Sequence, residues 1–427
     1  MDVALLYGKN GKTITLPDEI TTVVRPKAAK PLMDEISAVR QALQNPMGCP
    51  PLAETVSAAD QVAIVFSDIT RPMPYHSILP PLLQELHHVP DDQIIFINAT
   101  GTHRSNTEGE LVEILGREIV DRYTILQHDC SAEEELVHIG DSSRGNEIWV
   151  NRQYMESSVR ILTGFIEPHL FAGFSGGPKA VLPGIAGKQT IVANHGVDMI
   201  GANTATFAHT VGNPLWEEML EAALMSQPTM LLNVTQTDDR RITGVFAGEL
   251  QQAHAAGAAF VRETSLVPVP QRYEIVISTA GGYPLDISMY QSVKGMAVTQ
   301  NIVKDGGSVI LACECEEGLP DYGEYRDIVN LAQSPDELLE IIHKPGFSMQ
   351  DQWDVQIQAQ LCQRVNFYIH SDGLTDVEVK QALGIPCHDI EATVKELLTQ
   401  YGPDARIAVL PAGSLTVPFF PDEEMNG

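Results

Sequence analysis

Positive charge is scarce in this chain: 27 Lys and Arg stand against 56 Asp and Glu, a formal net charge of −29. That balance repels phosphate backbones and anionic lipid, so neither nucleic acid nor a membrane surface is expected as a partner. The acidic residues are spread along the chain rather than gathered in a tail, which reads as a solvated surface. Cysteine is sparse as well, six in 427 residues, and this excludes a disulfide framework. No apolar run approaches the ~20 residues of a membrane helix. The opening MDVALLYGKNGKTITLP lacks the basic-then-apolar pattern of an export signal, so a cytoplasmic location is expected. The G-x-x-x-x-G-K-[ST] phosphate loop is missing too. Cys313 and Cys315 are expected to be neighbours on one face of a buried strand.

What is present is a hydrophobic fraction of 44% on a chain long enough for two or three domains. Apolar runs rich in β-branched residues recur at 61–68, 93–101, 159–166, 273–282, 306–313, 365–373 and 405–413. Helical patterns such as YHSILPPLLQELHH and SPDELLEIIHK lie between several of them. This alternation predicts an α/β fold with largely parallel sheets; two domains, with the active site in the interdomain cleft, are the expected architecture. VPVPQRY (267–273), with two prolines before a fresh strand, is the expected linker. It divides the chain into residues 1–268, expected to hold the catalytic machinery, and 269–427.

In open α/β sheets ligands gather beyond the carboxyl ends of the strands. Strand 61–68 runs into Asp68, Ile69, Thr70 and Arg71; strand 93–101 into Thr102, His103 and Arg104; strand 159–166 into His169. One such ending is unremarkable, whereas three in one domain point to a site. After His169 the segment EPHLFAGFSGGPKAVLPGIAGKQTIVANH carries Lys179 and His195 among five glycines and three prolines. A charged lysine in such apolar company is costly unless something binds it. Backbone N–H groups at Gly176 and Gly177 are able to form an anion-cradling nest, although the same residues also suit an ordinary tight turn. Each histidine taken singly suits a structural role; together they suit acid/base work with a metal ligand.

The second half contributes STAGGYPLDISMYQSVKGM, in which Tyr290 and Lys294 are spaced to share a helix face, with Gln291 between them. Gly281 and Gly282 are expected to let the chain turn closely past a ligand. Trp353, in DQWDVQ, is one of three tryptophans and suits either packing or a pocket wall.

Taken together, DITRP, GTHR, EPH…FAGFSGGPKAVLPGI, ANH, GGYPLD…YQ..KGM and DQW closely resemble the nickel-pincer-nucleotide lactate racemase family of 2-hydroxyacid racemases and epimerases. The likeness spans nearly the whole chain, and residues 167–195 are its most diagnostic part. It implies an isomerase that racemises a 2-hydroxy acid, lactate by default, through hydride transfer to and from a bound cofactor. That cofactor would be nickel held in a pyridinium-3,5-bisthiocarboxylic acid mononucleotide, joined covalently to Lys179, with His195 as the protein ligand to the metal. Asp68, Ile69, Thr70 and Arg71 would line the cofactor site. His103 and His169 would form the catalytic acid/base pair. Arg71, Tyr290, Gln291, Lys294 and Trp353 would bind substrate. Separate cofactor-assembly enzymes are the implied protein partners.

Imidazole suits a nickel site otherwise built from sulfur and carbon, and an acylated lysine no longer carries the charge that made its surroundings costly. Malate racemisation or sugar-acid 2-epimerisation on the same cofactor is the alternative activity. A non-catalytic carrier of the nickel nucleotide would not need both His103 and His169. A Schiff-base enzyme with Lys179 as nucleophile is the reading independent of the family.

Overall fold

The computed structural model describes residues 1–420 except Ala28, Pro72 and Asp238. Pro72 of the DITRP stretch and residues 421–427 therefore lie outside the described residues. Two sheets of six strands organise the molecule. The first runs in the order Ile242–Gly248, Met230–Gln236, Val159–Phe165, Val62–Ser67, Ile94–Ala99 and Thr124–Gln127. All its neighbours pair in parallel except the first two strands, which are antiparallel. The second sheet is wholly parallel, in the order Ile385–Pro386, Asn366–His370, Val303–Ala312, Tyr273–Thr279, Ile407–Leu410 and Thr21–Val23.

The α/β class read from the sequence is thus the class observed. Its physical basis is plain in Val62–Ser67 and Tyr273–Thr279, continuous β-branched and apolar runs whose residues are buried on both faces. Helices cover them, among them Tyr75–Glu85 and Pro335–Ile342, where the periodicity predicted helices. The longest core is continuous between the sheets, joining Val65 and Leu162 to Val276, Val309 and Met289. Among the described residues no helix is long and apolar enough to cross a membrane.

Three local expectations are corrected. The proline-rich stretch expected as a linker begins in a strand: Leu266–Pro268 pairs in parallel with Val417–Phe419, tying the two halves together. The first residues of the chain do not stay with the first sheet. Val3, Leu5, Tyr7, Ile14 and Leu16 pack under Ile275 and Ile407, and Thr21–Val23 forms an edge of the second sheet. Cys313 and Cys315 are buried free thiols, but the strand ends at Ala312 and Cys315 adopts φ +53°, so they do not share a strand face.

Candidate active site

Parallel strands deliver their following residues to one edge of the sheet, and the first sheet does so here. Asp68 and Arg71 follow Val62–Ser67, His103 follows Ile94–Ala99, and His169 follows Val159–Phe165. All four line one cavity with Lys179 and His195. Its opposite wall comes from the other half of the chain. Helix Met289–Ala297, whose Ser288 side chain accepts a hydrogen bond from the Gln291 N–H, presents Tyr290, Gln291 and Lys294. Helix Gln352–Cys362 presents Trp353 and Asp354 in its first turn. The cavity therefore lies between the two sheets, as a cleft site requires.

A chain of polar contacts crosses that cleft. Asp68 is 3% exposed, and its Oδ2 lies 2.6 Å from Nδ1 of His103. Its other oxygen, Oδ1, accepts from the Thr70 hydroxyl (2.6 Å) and the Thr70 N–H (2.8 Å). Burial alone would raise the Asp68 pKa, but the His103 ring and the Arg71 guanidinium hold it well below the usual carboxylate range. An ionised Asp68 keeps the imidazole proton on Nδ1 and leaves the Nε2 lone pair of His103 facing the cavity. There the Gln291 side-chain amide donates to it at 3.2 Å, while Lys294 Nζ donates to Gln291 Oε1 at 2.8 Å.

The other side of the cavity is apolar and cationic. The Lys179 amine makes no hydrogen bond or ion pair with any described residue, and it lies 5.5 Å from the Phe171 ring centroid. Burial, reinforced by Arg71 and Lys294, pushes the Lys179 amine down to about 7. His195 donates from Nδ1 to the Ile191 carbonyl at 3.0 Å, which directs its Nε2 lone pair away from the helix. Its ring is packed between Phe171 (5.2 Å) and Trp353 (4.7 Å), and burial, helped by Lys179, lowers it to about 3. His169 packs on Phe171 at 4.6 Å and is likewise pushed well down by burial and then by neighbouring cations, so both rings are neutral.

The donor set fits a metal that brings most of its own ligands. Among the described residues no group of three or more His, Cys, Asp or Glu side chains is placed to hold a metal ion. A metal at His195 would draw its remaining donors from a bound group, and an unpartnered amine at Lys179 is available to attach one.

Not every residue singled out from the sequence reaches this cavity. Ile69 and Thr70 do not line it: Ile69 is buried elsewhere, and the Thr70 hydroxyl is spent on Asp68. Arg104 turns away to Glu110 (2.7 Å) and Glu317 (3.3 Å), bridging the two halves of the molecule. Thr102 does line the cavity, and its carbonyl accepts from the Gln350 side-chain amide, another such bridge, at 2.9 Å. The nest at Gly176–Gly177 is not free for a phosphate, because the Gly177 N–H donates to Asn233 Oδ1 at 2.7 Å. Gly281 and Gly282 turn past protein rather than ligand: a Cβ on Gly282 would lie 3.1 Å from the Gly8 carbonyl.

Asp354 is the cavity residue that sequence reasoning missed. It is 4% exposed, its Oδ1 has no hydrogen-bond partner among the described residues, and burial raises its pKa against the pull of Lys294. Its one signal was adjacency to Trp353. Phe171, on which Lys179, His169 and His195 all pack, lay unread between the motif histidines.

Comparison with known proteins places this geometry. A family model described as the lactate racemase N-terminal domain matches residues 7–208, and one described as the lactate racemase C-terminal domain matches residues 269–417. The chain is 34% identical to the lactate racemase of Lactiplantibacillus plantarum over 388 residues, 89% of this chain and 90% of that one. It is also 34% identical to the lactate racemase of Thermoanaerobacterium thermosaccharolyticum over 418 residues, 96% of this chain and 98% of that one. The structure of the latter organism's lactate racemase apoprotein superposes with a TM-score of 0.91 at 32% identity, covering 98% of this chain and 100% of that one. A Thermotoga maritima protein shares the fold alone, at a TM-score of 0.73 and 17% identity over 92% of this chain and 99% of that one. With both halves matched in order and near-complete relatives at this identity, the chain belongs to the lactate racemase family.

Proposed function

We propose that this protein racemises a 2-hydroxy acid, lactate by default, using a nickel-pincer nucleotide attached to Lys179 and ligated through His195. The observation that carries the reading is the convergence on one cavity of an unpartnered buried amine, a neutral imidazole with its Nε2 free, and a carboxylate-held histidine. Residues 1–268 would hold the cofactor and the catalytic histidines, and residues 269–427 the substrate-binding helices. When bound, the nucleotide would supply hydride transfer to and from the substrate α-carbon.

The protein's own side chains do the rest. Lys294, with Arg71, faces the substrate carboxylate; Gln291, already bonded to Lys294, orients it. His103 Nε2 takes the hydroxyl proton, with its other nitrogen held by Asp68. His169, neutral before substrate arrives, serves the opposite enantiomer in the same way. Trp353 and Phe171 exclude water around His195, which strengthens each charge contact inside the cleft. Asp68 and Arg71 border the cofactor side of the cavity, and Thr70 supports it from behind through its hydrogen bonds to Asp68.

Peptide mass spectrometry and metal analysis of fully active protein test this reading. The expected result is an adduct on Lys179 and about one nickel per chain, the stoichiometry of a single-imidazole site. His195→Ala should lose the nickel and Lys179→Ala the adduct. Substrate carrying deuterium at the α-carbon should racemise with the label retained in ordinary water. An unmodified Lys179 in active protein, or complete washout of the label, would sink the proposal. A panel of 2-hydroxy acids assayed for loss of optical purity separates lactate from malate and sugar acids.

A further inference from the structure

Lys179 is presented to the cavity by a turn that belongs to neither a sheet strand nor a long helix. It stands on one 3-10 turn, Gly177–Ala180, entered through Gly176 at φ +70° and Gly177 at φ +52°. Past the lysine the backbone holds the turn: the Lys179 N–H donates to the Gly176 carbonyl at 3.1 Å, the Lys179 carbonyl accepts from the Gly184 N–H at 3.0 Å, and the Pro178 carbonyl accepts from Val181 (3.0 Å) and Leu182 (3.1 Å); the Gly177 N–H and the Ser175 carbonyl ahead of it are left to side chains. Two buried polar side chains from elsewhere grip it. Asn233, on strand Met230–Gln236 and wholly buried, accepts from the Gly177 N–H at 2.7 Å. Its own amide is oriented by donation to the Leu232 carbonyl at 3.1 Å. His254, on helix Leu250–Ser265 and 3% exposed, donates from Nε2 to the Ser175 carbonyl at 3.0 Å. Burial keeps that ring neutral, as a single donor.

The glycines are shaped to this grip. A Cβ on Gly176 would lie 2.5 Å from Asn233 Oδ1, and one on Gly177 would lie 2.4 Å from the His254 ring. Gly164, beside Asn233 in the neighbouring strand, would bring a Cβ to 3.3 Å of the Asn233 amide nitrogen. Neither clamp residue lines the cavity. Both lie between the two segments matched by the family models, which end at 208 and resume at 269.

We propose that Asn233 and His254 are positioning residues, a two-sided clamp on Ser175–Gly177 that holds the Lys179 amine inside the cavity. The clamp concerns the amine itself. It rests on the proposed function only in giving that amine a use, and its test needs neither cofactor nor turnover. If it fails, the Lys179 adduct experiment above is untouched, and the reverse also holds.

The test is competitive acylation of the apoprotein with trace acetic anhydride across pH, read by peptide mass spectrometry, with exposed Lys395 as internal reference. In the parent protein Lys179 should become half-reactive near the depressed value of its amine, about 7. In His254→Leu and Asn233→Ala the turn relaxes toward water and the midpoint should climb by about one unit or more, a loss of roughly fivefold or more in relative rate at pH 7. His254→Gln, whose amide reaches the Ser175 carbonyl, should restore the parent midpoint. His254→Asn, whose amide falls short, should not; this pair decides the matter if the leucine variant does not fold. Unchanged midpoints in the folded variants overturn the clamp, as do equal shifts in His254→Gln and His254→Asn.

Discussion

At the scale of single residues, Asp68 and Asp354 show how one cavity sets two carboxylates apart. Asp68 has a partner on each oxygen, His103 on one and Thr70 on the other, and the Arg71 guanidinium near it, and it stays ionised despite burial. Asp354 has an oxygen without a partner among the described residues, and burial raises it. If Asp68 fixes the His103 proton on Nδ1, Asp68→Asn should lower turnover by about 10²- to 10⁴-fold, the range for losing an oriented base. The Lys179 adduct should stay intact; turnover and peptide mass, measured on the same sample, check both halves. Asp354 acts through Lys294, whose ammonium its charge favours against burial and the Arg71 guanidinium. Replacing Asp354 with Asn removes that support, so Lys294 loses its proton at a lower pH. The alkaline limb of kcat/KM should therefore move downward in pH, which a profile of the variant beside the parent reads directly.

At the scale of elements, helix Met289–Ala297 decides where Tyr290, Gln291 and Lys294 sit. It can approach the end of strand Tyr273–Thr279 only because residue 295 is glycine: a Cβ there would lie 2.2 Å from the Thr279 carbonyl. Gly295→Ala should push the helix outward, with a stability cost of about 1–3 kcal/mol from overpacking. The denaturant midpoint measures that cost. Because the substrate contacts ride on the same helix, KM should rise with it; an unchanged KM would mean the helix is not rigidly seated. The spacing of Tyr290 and Lys294 made this helix legible. Its closeness to Thr279 was not, since no local pattern marks a contact between a helix glycine and a strand carbonyl.

At the scale of the whole molecule, the two halves are joined by polar contacts around the cavity. These run from Arg104 to Glu317, from Gln350 to Thr102 and from Gln356 to the Val197 carbonyl (3.1 Å). Buried in the protein, at the cavity or behind it, lie His128, His169, His195 and His254, all lowered by burial. Below the ordinary histidine pKa near 6.5 the unfolded chain binds protons that the folded chain refuses, so stability falls as pH drops toward the folded values. Each such ring contributes up to about 1.4 kcal/mol per pH unit in that window. Asp68, depressed instead, adds acid sensitivity only below about 4. Apoprotein unfolding free energy should accordingly decline from pH 7 to pH 5, and His128→Gln should flatten the slope. A flat profile in the parent would mean that water reaches these rings.

By itself the sequence determined the α/β class and most of the cavity. Runs such as QVAIVFSD and YEIVISTAGG must be buried strands, and a parallel strand has to release its next residues at the ligand-binding edge. Asp68, His103 and His169 were legible for that reason, and Lys179 and His195 because a cation and imidazoles in a glycine-hinged apolar loop are costly without a purpose. Tertiary structure alone decided the rest. It sent residues 1–24 to the far sheet, turned Arg104 outward, and closed the apparent phosphate nest with Asn233. It also brought Asp354 into the cavity and His254 onto the lysine turn. Those outcomes depend on which buried polar group meets which partner across the fold, and such pairings carry no local periodicity from which to read them.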